Sequence, residues 1–185
     1  MERNREFCHN LLKEFTQNES LLKHAYSVEA CVREYAKKFN EDIEFWGNVA
    51  LLHDFDYEKY PSMDDHPFQG EKILKEKGFS EIFTRAILSH ADHTNVKRES
   101  LLEKVLYACD ELSGFITAVT LVRPNKKIDE VEVNSVKKKM KDKAFAKAVS
   151  RDDIINGAAS LNISLDEHIQ FCINAMRGIK ENLGL

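Results

Sequence analysis

An apolar run that ends in an imidazole and a carboxylate, Ala50-Leu51-Leu52-His53-Asp54, decides how the rest of this sequence is interpreted. Alanine and leucine are typical of a protein core. A histidine and an aspartate in that setting need partners, because an unpaired buried charge is very costly. A metal ion can bind both side chains at once. The stretch therefore predicts a buried metal site whose other ligands come from elsewhere in the chain.

Helical periodicity surrounds this stretch. Apolar residues recur at steps of three and four between Ser20 and Phe39, which predicts an amphipathic helix. A nearly apolar helix is predicted from Ile43 into His53-Asp54, and a long one from Ser100 to Val119, where Glu103 could complete a capping box. Further helices are predicted over about 5–15, from His66-Pro67 to Lys77-Gly78, over about 80–91, in a Lys-rich stretch after Asp129, near Ala144, from Arg151 to Ser160, and from Ser164 to about Glu181.

The composition favours one all-α domain over residues 1–185. Only 7 Gly and 3 Pro interrupt the chain, and no stretch shows strand alternation. A net charge of -4 gives no general attraction to nucleic acid or to an anionic membrane. No secretory signal or membrane-spanning stretch is apparent. The widely spaced cysteines predict reduced thiols in a cytoplasmic protein. They are Cys8, Cys31, Cys109 and Cys172.

Four residues from three predicted helices suit a metal site. His24, His53, Asp54 and Asp110 each lie on or near the apolar side of a helix. Two imidazoles and two carboxylates fit a divalent transition metal such as Mn, Fe, Co, Ni or Zn. Four protein ligands on an octahedral ion leave positions for water and a substrate oxygen. Lewis-acid catalysis and a lowered pKa of bound water require such open positions.

The order of these ligands, with Leu-Tyr-Ala-Cys-Asp before the last of them, resembles the HD superfamily of metal-dependent phosphohydrolases. The resemblance covers roughly Leu22 to Ile116. Phe55-Asp56 follows the doublet where the HDIG subgroup has Ile-Gly, so that variant is not matched. The resemblance implies a helical bundle of the HD-domain type. Its metal-binding core would span about 20–118, with C-terminal helices of about 129–182 packed on it.

Further polar residues lie between the doublet and Asp110. By the resemblance, His66 and His90 would bind a second ion bridged by Asp54, or would hold phosphate oxygens. His93 is separated from His90 by two residues, whereas the corresponding histidines of dinuclear members are often adjacent. His93 and Arg123 are candidates for contact with a substrate phosphate.

The resemblance implies hydrolysis of a phosphomonoester or phosphoanhydride bond in a nucleotide or similar small phosphate compound. Asp54, His66 and His90 would be the catalytic residues. Two alternatives stay open: a metal-stabilised regulatory or ligand-binding module without turnover, and a di-iron oxygenase of the HD type. No membrane or nucleic-acid partner is expected, whereas apolar helix faces near both termini would permit a homodimer.

Several residues near the predicted site have two interpretations. Asp56 and Glu58 could orient water or act as a general acid, although a solvated loop is favoured for both. The basic run Lys137–Lys143 is interpreted as the solvated face of a helix. His9 and His168 are interpreted as structural or solvent-exposed. Four aromatic residues could stack on a base or close the core: Phe55, Tyr57, Tyr60 and Phe68.

Overall fold

A computed structural model describes residues 3–185, and this part of the chain forms ten α-helices without a strand. The all-α prediction is therefore confirmed. No helix among these residues is long and apolar enough to cross a membrane. The helices are α1 Arg5–Phe15, α2 Glu19–Phe39, α3 Ile43–Leu51, α4 Phe68–Glu76, α5 Glu81–Ser89, α6 Leu101–Leu121, α7 Val133–Met140, α8 Arg151–Ser160, α9 Leu165–Arg177 and α10 Lys180–Leu183.

Side-chain caps fix where the central helices begin. The Asn18 side chain accepts hydrogen bonds from the first backbone N–H groups of α2, and Asp42 does the same for α3. At α6 both halves of the predicted capping box are present between Ser100 and Glu103. Each cap satisfies N–H groups that have no partner within the helix.

The helix that leads into the doublet is shorter than predicted. α3 ends at Leu51, and His53 and Asp54 lie in the turns that follow. The His53 Nδ1–H donates to the Ala50 carbonyl at 2.7 Å, so this side chain uses a carbonyl that a continuing helix would have bonded. The apolar pattern therefore continues beyond the end of the helix itself.

Two predictions about the C-terminal part need correction. The short helix near Ala144 is wrong, because residues 143–148 form turns. The Arg151 guanidinium donates to the carbonyls of Phe145, Ala146 and Val149, which holds the turns in place. The single helix predicted from Ser164 is divided, because α9 ends at Arg177 and α10 follows.

The C-terminal helices share one core with the rest of the chain. α2, α3 and α6 pack together at the centre, while α8 and α9 lie against α6. Ile169, Cys172 and Met176 of α9 join the buried cluster that contains Val28 and Leu112. Close approach of α8 depends on a glycine, because a Cβ at Gly157 would lie 2.6 Å from the Ala108 Cα. This packing brings α8 next to the segment of α6 that carries Asp110.

Candidate metal centre

Six side chains from five regions of the fold converge on one centre. Their ring nitrogens and carboxylate oxygens form two overlapping groups that share Asp54. The contributing positions are His24 on α2, His53 and Asp54 after α3, His66 before α4, His90 at the end of α5, and Asp110 within α6.

The first group contains the four ligands predicted from the sequence, with the ligand atoms all within 4.8 Å of one another. His24 Nε2 lies 3.0 Å from Asp110 Oδ1 and 3.8 Å from Asp54 Oδ2. His53 Nε2 lies 3.4 Å and 3.5 Å from the same two oxygens. The tertiary fold therefore brings together two imidazoles and two carboxylates that are distant in sequence.

The second group is formed around the other oxygen of Asp54. Nε2 of His66 and Nε2 of His90 each lie 3.2 Å from Asp54 Oδ1. Asp54 thus directs Oδ2 toward the first group and Oδ1 toward the second. A carboxylate in this orientation can bridge two cations, which is the role that the resemblance implied for Asp54.

The donor geometry fits a cation. His53 Nε2 is fully buried and has no hydrogen-bond partner, although an unpaired polar atom in a core is rare. Since Nδ1 donates to the Ala50 carbonyl, a neutral His53 ring directs the Nε2 lone pair at two carboxylates. His90 is held in the same way, by Nδ1 donation to the Ile87 carbonyl at 2.5 Å. A divalent ion between these atoms would satisfy the lone pairs and the carboxylates together.

The same geometry shifts the pKa values of these groups. Burial lowers the pKa of His53, but the charges of Asp54 and Asp110 outweigh it and raise that pKa well above 6.5. Burial raises the pKa of Asp54, but the charge of His53 and the ring nitrogens of His53, His66 and His90 close to its two oxygens hold that pKa well below its usual range. Burial lowers the pKa of His66, yet bonds to Asp54 and Asp56 raise it to about 9. Protons therefore compete with a metal for these nitrogens.

Comparison with known families gives one match, in which the sequence profile of the HD domain aligns with residues 21–114. The chain belongs to the HD domain family. The resemblance inferred from the ligand order is thus confirmed, and all six candidate ligands lie within the matched residues. Neither the curated proteins nor the solved structures provide a match.

A buried carboxylate supports the second group of the HD site. Asp56 is fully buried, and its Oδ1 accepts a 2.8 Å hydrogen bond from His66 Nδ1. Its Oδ2 accepts another from the Gly70 backbone N–H at 2.8 Å. The favoured interpretation of Asp56 as a solvated loop residue is therefore wrong. Glu58 is exposed and accepts hydrogen bonds from the backbone at the start of α2, so it does not reach the site.

Two basic residues hold the main chain around the ligands. The His93 Nε2–H donates a 2.8 Å hydrogen bond to the His66 carbonyl. This nitrogen is therefore bound to the backbone of a candidate ligand. Arg98 donates to the His90 carbonyl at 3.3 Å and stacks 3.5 Å from the centre of the Tyr107 ring. Both residues thus hold the main chain of candidate ligands.

Arg123 is not brought to the site. It follows Asp110 by thirteen residues along and just beyond α6, which corresponds to about 20 Å at 1.5 Å per residue. Its guanidinium donates to Ser135 Oγ at 2.7 Å. The predicted contact between Arg123 and a substrate phosphate is therefore corrected, because the direction of α6 carries this side chain away from the ligands.

A cavity of about 510 Å³ opens onto the ligands. Tyr57 lines it, whereas Phe55 is fully buried in the core. α6 contributes Tyr107, three residues before Asp110, and Glu111, four residues after Tyr107, so helical spacing could have indicated them. Asp153 of α8 also lines the cavity, and no local pattern indicated it. Burial, together with the charge of Asp110, raises the pKa of Glu111 to about 7.

Proposed function

We propose that this protein is a metal-dependent phosphohydrolase that cleaves a phosphomonoester or phosphoanhydride bond in a nucleotide or similar small phosphate compound. The observation that carries the proposal is the orientation of Asp54, whose two oxygens face two separate groups of histidines. Two cations at this spacing can bind the oxygens on both sides of a phosphorus atom. Membership of the HD family, which consists mostly of metal-dependent phosphohydrolases, supports the same reaction.

The residues divide into two sets of ligands. His24, His53, Asp54 and Asp110 would hold one ion, while His66 and His90 would hold the other together with Asp54. Divalent ions at these positions supply Lewis acidity and lower the pKa of water. Native Mn, Fe, Co, Ni or Zn all suit this set of nitrogen and oxygen donors.

The protein itself supplies orientation and burial. The Ala50 and Ile87 carbonyls fix the His53 and His90 rings, and Asp56 fixes the His66 ring. Each of these bonds keeps an Nε2 lone pair directed at the centre. The cavity beside them has the size of a small-molecule site, which supports a small phosphate compound as substrate.

A phosphatase screen tests the proposal. The full-length protein, reconstituted separately with Mn, Co, Ni and Zn, is assayed for phosphate release from nucleotides and simple phosphomonoesters. We expect activity that is lost in the His53→Ala, Asp54→Ala double variant and retained in His9→Gln. His9 serves as the control because it belongs to neither group of candidate ligands. Its Nε2 forms a hydrogen bond with the Tyr26 hydroxyl instead. Undiminished activity in the double variant would show the proposal to be wrong.

These preparations, together with an iron-loaded one, distinguish the two alternatives. Tight metal binding without turnover of any ester would favour a regulatory or ligand-binding module. Oxygen consumption by the iron-loaded protein, without phosphate release, would favour an oxygenase.

A cytoplasmic location is also proposed, and it is supported by the four buried cysteines, all of which are free thiols.

A further inference from the structure

A segment of turns between α7 and α8, residues 141–150, forms part of the wall of the cavity beside the candidate ligands. Ala148 and Val149 are the members of this segment that line the cavity. None of its residues is buried, and Phe145, Ala146 and Val149 pack against the core only as partly exposed side chains. The segment therefore covers the cavity without being part of the core.

Hydrogen bonds of its own hold the segment in shape. The Asp142 carboxylate accepts from two backbone N–H groups that follow it shortly. Arg151, the first residue of α8, donates to several carbonyls of the segment, among them those of Ala146 and Val149 at 2.6 Å. These bonds connect only residues that are close in sequence, so they do not require the rest of the fold.

The backbone of Ala146 shows that this shape is a defined one. Its φ of 42° lies in the left-handed region, which favours glycine and is costly for a residue with a Cβ. Such a conformation persists only where the surrounding contacts impose it, and a flexible loop would relax it. The segment is therefore a small body with its own structure, able to move as one unit.

Few contacts join this body to helices that are distant in sequence. Within residues 3–185 the only hydrogen bond of this kind runs from the Ser150 N–H to Glu111 Oε2, at 3.0 Å. The Phe145 ring packs edge-on against Phe115 of α6, with the ring centroids 5.5 Å apart. Segments with little buried apolar surface and few tertiary hydrogen bonds open at a lower free energy than the core. Residues 141–150 can thus move away from the cavity while α6 stays folded.

The segment also carries an excess of positive charge. Lys141, Lys143 and Lys147 are exposed on it, against the single carboxylate of Asp142. Lys147 directly precedes the two residues that line the cavity. An anionic group bound at the centre would therefore attract the segment toward the cavity.

We propose that residues 141–150 form a lid, which opens as one body to admit a substrate and closes over it once a phosphate group is bound. The opening motion rests on the contacts of the segment alone. The ligand that closes the lid rests on the proposed function. Closure of such a segment excludes water from the reacting groups and holds the substrate in place.

Amide hydrogen exchange, followed by NMR on the full-length Zn-loaded protein, tests the opening. We expect Phe145→Ala to accelerate exchange of the Ser150 N–H, five residues away, about two- to tenfold, as the loss of one aromatic pair implies. Lys143→Ala changes an exposed residue of the same segment and should leave this rate unchanged. Phe145→Leu is the milder change if Phe145→Ala does not fold. An unaffected Ser150 rate would overturn the inference, as would equal acceleration at Leu112 in α6, which would indicate global unfolding.

A thiol at position 149 measures access to the cavity. The four native cysteines are fully buried, so the neutral reagent iodoacetamide should alkylate only the introduced thiol of the folded protein. We expect Val149→Cys to react about two- to tenfold faster when it is combined with Phe145→Ala, for the same reason as the amide. Combination with Lys143→Ala should leave the rate unchanged. Equal rates with and without Phe145→Ala would overturn the lid.

Inorganic phosphate tests the closure. At a concentration that saturates binding by calorimetry, phosphate should slow both the Ser150 exchange and the alkylation of Val149→Cys severalfold. Unchanged rates at saturation would overturn closure over a bound phosphate. Slower rates without hydrolysis of any ester would support the lid and refute the hydrolase. Absence of phosphate binding would count against the proposed function, while the exchange and alkylation results would still decide whether the segment opens.

Discussion

Asp56 Oδ1 accepts a 2.8 Å hydrogen bond from His66 Nδ1, and this contact directs His66 Nε2 at Asp54. The carboxylate is itself fixed, because Gly70 donates its backbone N–H to the second oxygen. Such a pair selects one tautomer of the ring and increases the basicity of the ligand nitrogen. The second group of candidate ligands therefore depends on a residue outside both groups.

Removing the charge of Asp56 should weaken the second metal site. For Asp56→Asn we expect the affinity for one of two ions to fall about ten- to a hundredfold, as for other outer-shell partners of ligand histidines. The other ion should be retained, because none of its remaining ligands contacts Asp56. Metal titration followed by calorimetry measures both affinities. The control is Glu58→Gln, an exposed change two residues away, and an equal loss in the control would contradict this explanation.

A side chain at position 70 should have the same effect by a different route. In Gly70→Ala the new Cβ would lie 2.8 Å from Asp56 Cγ, so the carboxylate would have to move. We expect selective loss of the second ion, measured as metal content per chain after gel filtration. Gly114→Ala is the matched control, since its Cβ would come no closer than 3.8 Å to His24. Two ions retained in Gly70→Ala would show that Asp56 does not need its present position.

Substitution of the ligands should separate the two sites. His90→Ala removes a member of the second group only, so we expect one bound ion to remain. Asp54→Ala affects both groups, so we expect both ions to be lost or greatly weakened. Elemental analysis of the purified variants, compared with His9→Gln, gives the stoichiometry. An Asp54→Ala protein that still bound two ions would contradict the bridging role.

Acid should destabilise the fold through His168, a residue outside the metal centre. Its ring is fully buried, with Nε2–H donating to the Ala108 carbonyl and Nδ1 accepting from the Tyr35 hydroxyl. Burial lowers the pKa of His168 below its ordinary value of 6.5. The unfolded chain then binds a proton near pH 6.5 that the folded chain does not bind. Stability is present above that pH and is lost as the pH falls from 6.5 toward the lower folded value.

The variant His168→Gln tests this assignment. Glutamine can donate and accept at similar positions but does not titrate, so we expect a cost of about 1–2 kcal/mol at neutral pH and a shallower decline on acidification. Urea unfolding of both metal-free proteins between about pH 7.5 and pH 5 measures the difference. Parallel pH profiles would assign the acid sensitivity to other groups.

Helical periodicity predicted the parts of the centre that lie within helices. His24 and Asp110 occupy the inner faces of α2 and α6, where the apolar pattern also places them. His53 and Asp54 were found by residue type, although the helix ends before them. An apolar run alone does not reveal that the His53 side chain binds the Ala50 carbonyl and ends the helical pattern there.

The positions of Asp56 and Asp153 depend on tertiary contacts. Asp56 lies in a polar stretch, and its partners follow ten and fourteen residues later, so its burial had no local signal. No local sequence pattern indicated Asp153 either. It reaches the cavity because Gly157 lets α8 approach α6 closely, and a single glycine in a polar helix does not indicate such a contact.

The division of the cavity between two parts of the chain has a further consequence. Every candidate metal ligand lies within the residues that match the HD domain, whereas Val149 and Asp153 lie beyond them. Relatives that share the ligands can therefore differ completely in the surface that α8 presents to a bound molecule. The reaction and the choice of substrate can thus diverge independently, and exchanging the segment around α8 between relatives offers a direct route to altered selectivity.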